Sequence, residues 1–104
     1  MNPALTRIKW QLNLKGRHAS REMIIEEYVA AFGFFDSHGL TTRRLIPDDK
    51  IIDDEFAVYQ NDLTSEGMEL FKTGYQKYLN ALDRGTPIDK AIKLLDKYLI
   101  KITG

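Results

Sequence analysis

Asp36, Ser37 and His38 are consecutive, and a carboxylate beside an imidazole is the smallest pairing that can move a proton or hold a metal. An active site needs further convergent groups. His18 is the only other histidine, there is no cysteine, and no second cluster completes a ligand set. Ser20, Ser37 and Ser65 lack a nucleophile-elbow setting, and no glycine-rich phosphate loop is present. The triplet also stands where an apolar helical run ends at Gly39. There Asp and Ser are ordinary, and a histidine suits the helix dipole. Capping is the preferred reading, no metal or cofactor is expected, and a small hydrolase built on Asp36 and His38 ranks last.

The second concentration of chemistry is LIPDDKIIDDEFAVYQNDL, residues 45–63, with six carboxylates against Lys50. Calcium is one ligand such a run could serve. An EF-hand loop needs acids at alternate positions, a central glycine and a closing glutamate. Ile51 and Ile52 occupy places where ligands or the glycine belong, so the run is not that loop. Paired carboxylates also hydrolyse glycosides, but such work needs a cleft that a chain of 104 residues can scarcely supply. No enzyme is expected. Carboxylates interleaved with Phe56, Val58 and Tyr59 suit a docking surface, where charge steers the encounter and aromatics anchor it. The residues selected for partner binding are Asp48, Asp49, Asp53, Asp54, Glu55, Tyr59, Asp62 and Glu66. The bland alternative is a solvated loop paired with the chain's own basic helices.

Charge is segregated along the chain although the total is zero: +3 over residues 1–47, −7 over 48–69 and +4 over 70–104. Arg7, Lys9, Lys15, Arg17 and Arg21 cluster around Trp10. Lys90, Lys93, Lys97 and Lys101 form a helical stripe. These support an alternative function as a small helical regulatory or nucleic-acid-binding domain. The near-neutral pI of 6.7 and the acidic segment, which repels phosphate, count against it.

Composition, 43 % hydrophobic and 29 % charged, is that of one ordinary globular domain. No apolar run suggests a membrane span or a signal peptide, and a cytoplasmic location is the default expectation. The elements expected to position the candidate residues are helical. Asn2-Pro3 reads as a helix start, with Leu5, Ile8 and Leu12 at helical spacing, Trp10 and Leu14 beside them, and Gly16 as the stop. Ser20 caps a second helix, apolar around most of its circumference and therefore expected at the centre of the core. Residues 40–63 have no sustained period. Within them, 41–46 and 55–59 are candidate short strands, Pro47-Asp48-Asp49 is a candidate turn, and Ile51-Ile52 a candidate helical turn. Thr64 caps a third helix with the stripe Met68, Phe71, Tyr75, Tyr78 and Leu82. Beside it runs a line of small residues, Gly67, Gly74 and Ala81, which faces either the core or a second copy of the chain. Gly85 ends that helix, and Thr86-Pro87-Ile88-Asp89 opens the last one. The expected fold is mostly α: a small four-helix domain of two helix pairs, with an acidic central insert that is irregular or a short β-hairpin.

The run LKGRHASREMIIEEYVAAFGFFDSHGLTTR, with LTSEGMELFKTGYQKYLNALDRG downstream, resembles small bacterial immunity proteins encoded beside contact-dependent growth inhibition and other polymorphic toxins. The resemblance covers roughly residues 8–85 and implies no particular fold, because such proteins are structurally diverse. It implies a cytoplasmic, non-enzymatic inhibitor that binds one cognate toxin domain. A nuclease fits as that toxin, since a phosphate-binding site is basic. With the acidic segment as its docking surface, this is the function expected. A homodimer is left open, and neither membrane nor nucleic acid is the expected partner.

Overall fold

The computed structural model describes residues 2–13 and 20–103; Leu14, Lys15, Gly16, Arg17 and His18 lie outside them. The protein is a mostly helical domain with a two-stranded antiparallel sheet. Its elements are β1 (Ala4–Arg7), α1 (Ile8–Leu12), α2 (Arg21–Ser37), β2 (Ala57–Tyr59), α3 (Ser65–Leu70), α4 (Gln76–Asp83) and α5 (Ile88–Thr103). A π-helical turn, Phe71–Tyr75, joins α3 to α4 into one rod.

The N-terminal segment departs from expectation. Asn2-Pro3 does not start a helix. The Pro3 carbonyl accepts from the Gln60 amide at 3.0 Å, and the Asn2 side chain accepts from the Asn61 amide at 2.8 Å. Ala4–Arg7 then pairs antiparallel with β2, with a bulge between Ala4 and Thr6. The apolar positions Leu5 and Ile8 suit either conformation. The pairing of β2's backbone groups decides between them, as tertiary context commonly overrides propensity. The β-pairing of the insert is therefore not a local hairpin. Of 41–46, only Thr41 makes a bridge, to Leu63, and Ile51 and Ile52 form no helical turn.

Local signals hold elsewhere. The Ser20 hydroxyl accepts from the Met23 amide at 3.2 Å, and the Thr64 hydroxyl from the Gly67 amide at 3.1 Å. Gly39 and Gly85 adopt positive φ, +68° and +90°. Each closes a Schellman turn: Leu40 donates to the Phe35 carbonyl and Thr86 to that of Ala81. Thr86-Pro87 leads directly into α5, which starts at Ile88.

The core forms where α2 meets α5 and the α3–α4 rod. Tyr28, Phe32 and Phe35 project from one side of α2 and are essentially buried. Phe32 lies 5.4 Å from the ring of Tyr75. Each such side chain contributes about 1.5–3 kcal/mol on burial. The polar tips are matched: Tyr78 donates to the Glu27 carbonyl at 2.7 Å, and Tyr28 shares a 2.6 Å hydrogen bond with Thr6. The small-residue line faces this interior. A Cβ on Gly67 would stand 2.2 Å from the Leu40 carbonyl oxygen, and one on Gly74 3.2 Å from Tyr98 Cβ. The π turn makes room for one extra residue, so that Leu70 before it and Tyr75 and Tyr78 after it all reach the core.

The expectation of a helix immersed in the core needs correction for α2. Its buried residues, Ile24, Glu27, Tyr28, Ala31, Phe32 and Phe35, lie on one face. Ile25, Val29, Ala30 and Gly33 turn away and are only partly covered. A chain of this size has no further layer with which to cover them.

Candidate functional site

The acidic insert is built outward from Asp36. Its carboxylate, in the last turn of α2, accepts from the backbone amides of Leu45 at 3.0 Å and Ile46 at 2.8 Å. The Thr41 hydroxyl also donates to it, at 2.9 Å. Leu45 and Ile46 are buried, so this one side chain satisfies two amides that are largely shielded from water. Asp62 does the same at the other end. It is only 7 % exposed, accepts from the Tyr59 amide at 2.9 Å and receives the Arg43 guanidinium at 2.9 and 3.3 Å. Between these anchors the chain folds on local bonds. Lys50 donates to the Pro47 carbonyl, and Asp49 and Asp53 accept from the amides of Ile51 and Glu55. Lys50 stands at φ 60°, the one non-glycine at positive φ among the described residues.

The eight selected residues therefore separate. Asp48, Asp49, Asp53, Asp54 and Glu55 share one outward loop. Asp62 is a buried anchor and leaves the surface. Tyr59 is half-buried with the Arg7 guanidinium 5.4 Å from its ring centre, and Glu66 sits exposed in the first turn of α3. Within the loop, Asp48 pairs with Arg44 at 2.6 Å, Glu55 with Lys9 at 2.7 Å, and Asp54 with Arg21. The hydrogen bond to Glu55 raises the pKa of Lys9. Five carboxylates facing Lys50 and three pairing cations leave one net negative charge. Charge segregation along the sequence is thus largely cancelled in space. The same pairs engage Lys9 and Arg21 of the basic N-terminal run, whereas the α5 lysines remain exposed.

Asp36 and His38 are each engaged with other groups rather than with one another. Asp36 is filled by its three donors, and His38 turns back onto its own helix. Its Nδ1 lies 2.9 Å from the Phe34 carbonyl, and its ring stacks on Phe34 at 4.0 Å. Among the described residues no group of three or more His, Cys, Asp or Glu side chains could hold a metal. No helix there is long and apolar enough to cross a membrane.

Sequence reasoning missed a groove between the outer face of α2 and the insert. Two clefts, of about 510 and 540 Å³, run end to end and share Gly33, Ile46 and Lys50 as lining. The signal for it was available. A helix apolar around most of its circumference, in a chain too small to surround it, must leave apolar surface open.

Compared with protein-family models, curated proteins and solved structures, this chain matches none. Its functional reading rests on the geometry above.

Proposed function

We propose that the chain is a non-enzymatic binding protein of the immunity type, which neutralises a cognate toxin domain, a basic nuclease, by docking it on the loop 48–55. The observation that carries the reading is the contrast between backbone and side chains in this loop. Asp36, Asp62 and the two aspartate turns pin the backbone from within. The side chains of Asp48, Asp54 and Glu55 stand 86, 47 and 77 % exposed. A preorganised loop loses little conformational freedom on binding. Its ion pairs with Arg44, Arg21 and Lys9 lie at the surface, where such pairs are worth about 0–1 kcal/mol. A partner's arginines and lysines can displace them cheaply, and the near-neutral resting state prevents indiscriminate capture of cations.

The test is protection of cells from the C-terminal domain of any large reading frame found beside this gene. Wild type is expected to restore growth. Asp54→Lys with Glu55→Lys, which leaves the backbone anchors intact, should abolish protection while the circular dichroism spectrum is unchanged. Full protection by that double variant would remove the loop from the interface. Absence of any neutralised neighbour would remove the immunity reading itself.

A further inference from the structure

We infer that the cleft between α1 and the π turn is a binding site for a planar aromatic monoanion, in its simplest form a fused-ring carboxylate. This inference is independent of the proposed function, because no residue of the loop 48–55 lines the cleft.

Two walls of separate origin enclose about 400 Å³, a volume within the range of small-molecule sites. The N-terminal segment supplies Leu5 and Trp10, and the rod supplies Phe71, Tyr75 and Leu79. The rings of Phe71 and Tyr75 stack at 4.8 Å and 15°, so the wall on the rod is a flat aromatic surface. Trp10, on the other wall, is the chain's only tryptophan and stands 51 % exposed. A planar ring entering the cleft meets aromatic side chains from both walls, and offset stacking is the contact such rings prefer. The π turn is central to this arrangement. Phe71, Lys72 and Tyr75 belong to it and Gln76 follows it directly, and π turns recur at functional sites.

The polar groups select the charge. Thr6 is only 5 % exposed, and its hydroxyl is already paired with that of Tyr28 at 2.6 Å, so this buried group asks for no charged ligand. Lys72 is the one ionised side chain among the described residues that line the cleft. It is exposed and has no ion-pair partner among the described residues. No carboxylate in that lining offers a place for a cation. A ring with one negative substituent therefore finds both of its complements here: stacking surface for the ring and a single ammonium for the anion. A cationic ring of the same shape would meet Lys72 with nothing to offset the repulsion.

Titration of the full chain with 2-naphthoate, followed in proton–nitrogen correlation spectra, tests this. A single tryptophan gives a single indole N–H signal, so contact at Trp10 is read without ambiguity. That signal and the amides of residues 71–76 should shift together and saturate, with a Kd of about 0.1–1 mM for a probe of this size. The cation 2-naphthylmethylammonium should bind at least ~10-fold more weakly. Lys72→Met, a change at an exposed position, should weaken naphthoate at least ~3-fold and leave the neutral 2-naphthamide unaffected. Trp10→Ala should weaken all three probes at least ~5-fold, read on the amides of 71–76, with an unchanged circular dichroism spectrum. Absence of saturable shifts up to about 10 mM naphthoate, or shifts centred elsewhere on the protein, would overturn the site. Equal affinity for the cation would overturn the ligand class, and undiminished binding by Trp10→Ala would overturn the stacking between walls.

Discussion

Replacing Asp36 by alanine should destabilise the protein far more than a half-exposed carboxylate normally would. Its oxygens accept from two buried amides and from the Thr41 hydroxyl. Hydrogen bonds to a charged group contribute about 1.5–3 kcal/mol each, and a buried donor left unpaired costs about 1–3 kcal/mol. The bonds share one carboxylate, and water will reach part of the gap. The net loss is therefore expected at about 2–4 kcal/mol rather than the sum of the individual terms. For a domain of this length that corresponds to a fall in Tm of roughly 10–25 °C. In urea it is a drop of about 1–2 M in midpoint at an unchanged slope of about 2 kcal/mol/M. Asp36→Asn keeps one carbonyl acceptor and should lose roughly half as much. His38→Ala, which removes only a local contact on the same turn, should cost under about 1 kcal/mol. Urea titrations of the three variants, followed by circular dichroism, give the comparison. A loss below about 0.5 kcal/mol for Asp36→Ala would refute the account of how the insert is held.

Two further outcomes follow from the packing. Gly67→Ala gains about 1 kcal/mol in helix propensity but places a Cβ 2.2 Å from the Leu40 carbonyl oxygen. Backbone at that distance cannot give way cheaply, so a net destabilisation of about 1–2 kcal/mol is expected, read as a lower melting temperature. Burial holds the pKa of Tyr75 well above its ordinary value of 10.0, with the neighbouring Tyr28 adding to the shift. The folded state thus favours the neutral phenol, and that contribution is complete below pH 10.0 and declines as the pH rises beyond it. Thermal melts of wild type should fall over that alkaline range, and those of Tyr75→Phe should fall less steeply; parallel curves would contradict the assignment.

What the sequence disclosed was mainly what is local. Ser20, Gly39, Thr64 and Gly85 end helices through bonds made within a few residues, and each marks its boundary. The helical pattern of Lys90, Lys93, Lys97 and Lys101 likewise sits opposite a buried face led by Ala91, Leu95 and Leu99. The N-terminal strand was hidden because ALTRIKWQL satisfies helical spacing, while the edge that recruits it lies about fifty residues downstream. The partners of the acidic loop were hidden for the same reason. The cations that offset it, Lys9 and Arg21, are 46 and 33 residues away from their partners. Asp62 carried no mark of burial in the sequence, since its anchoring role depends on Arg43 and on the backbone of Tyr59. The π turn left no signal, as it changes which residues face inward without changing their types.

The pairing of β1 with β2 also orders events in time. Ala4 finds its partner at Tyr59 and Arg7 at Ala57, so β1 leaves the ribosome about fifty residues before the strand it must join. At about 5–20 residues per second the N-terminal strand waits some 3–10 s for its mate, whereas α2 can begin to wind within microseconds of emerging. Throughout that interval Leu5 and Ile8 have no sheet to join, and the nascent chain presents an unpaired strand to whatever lies nearby. A slower stretch of translation after residue 59 would give this closure time to occur before α3 emerges. One placed before residue 57 would only prolong the exposure.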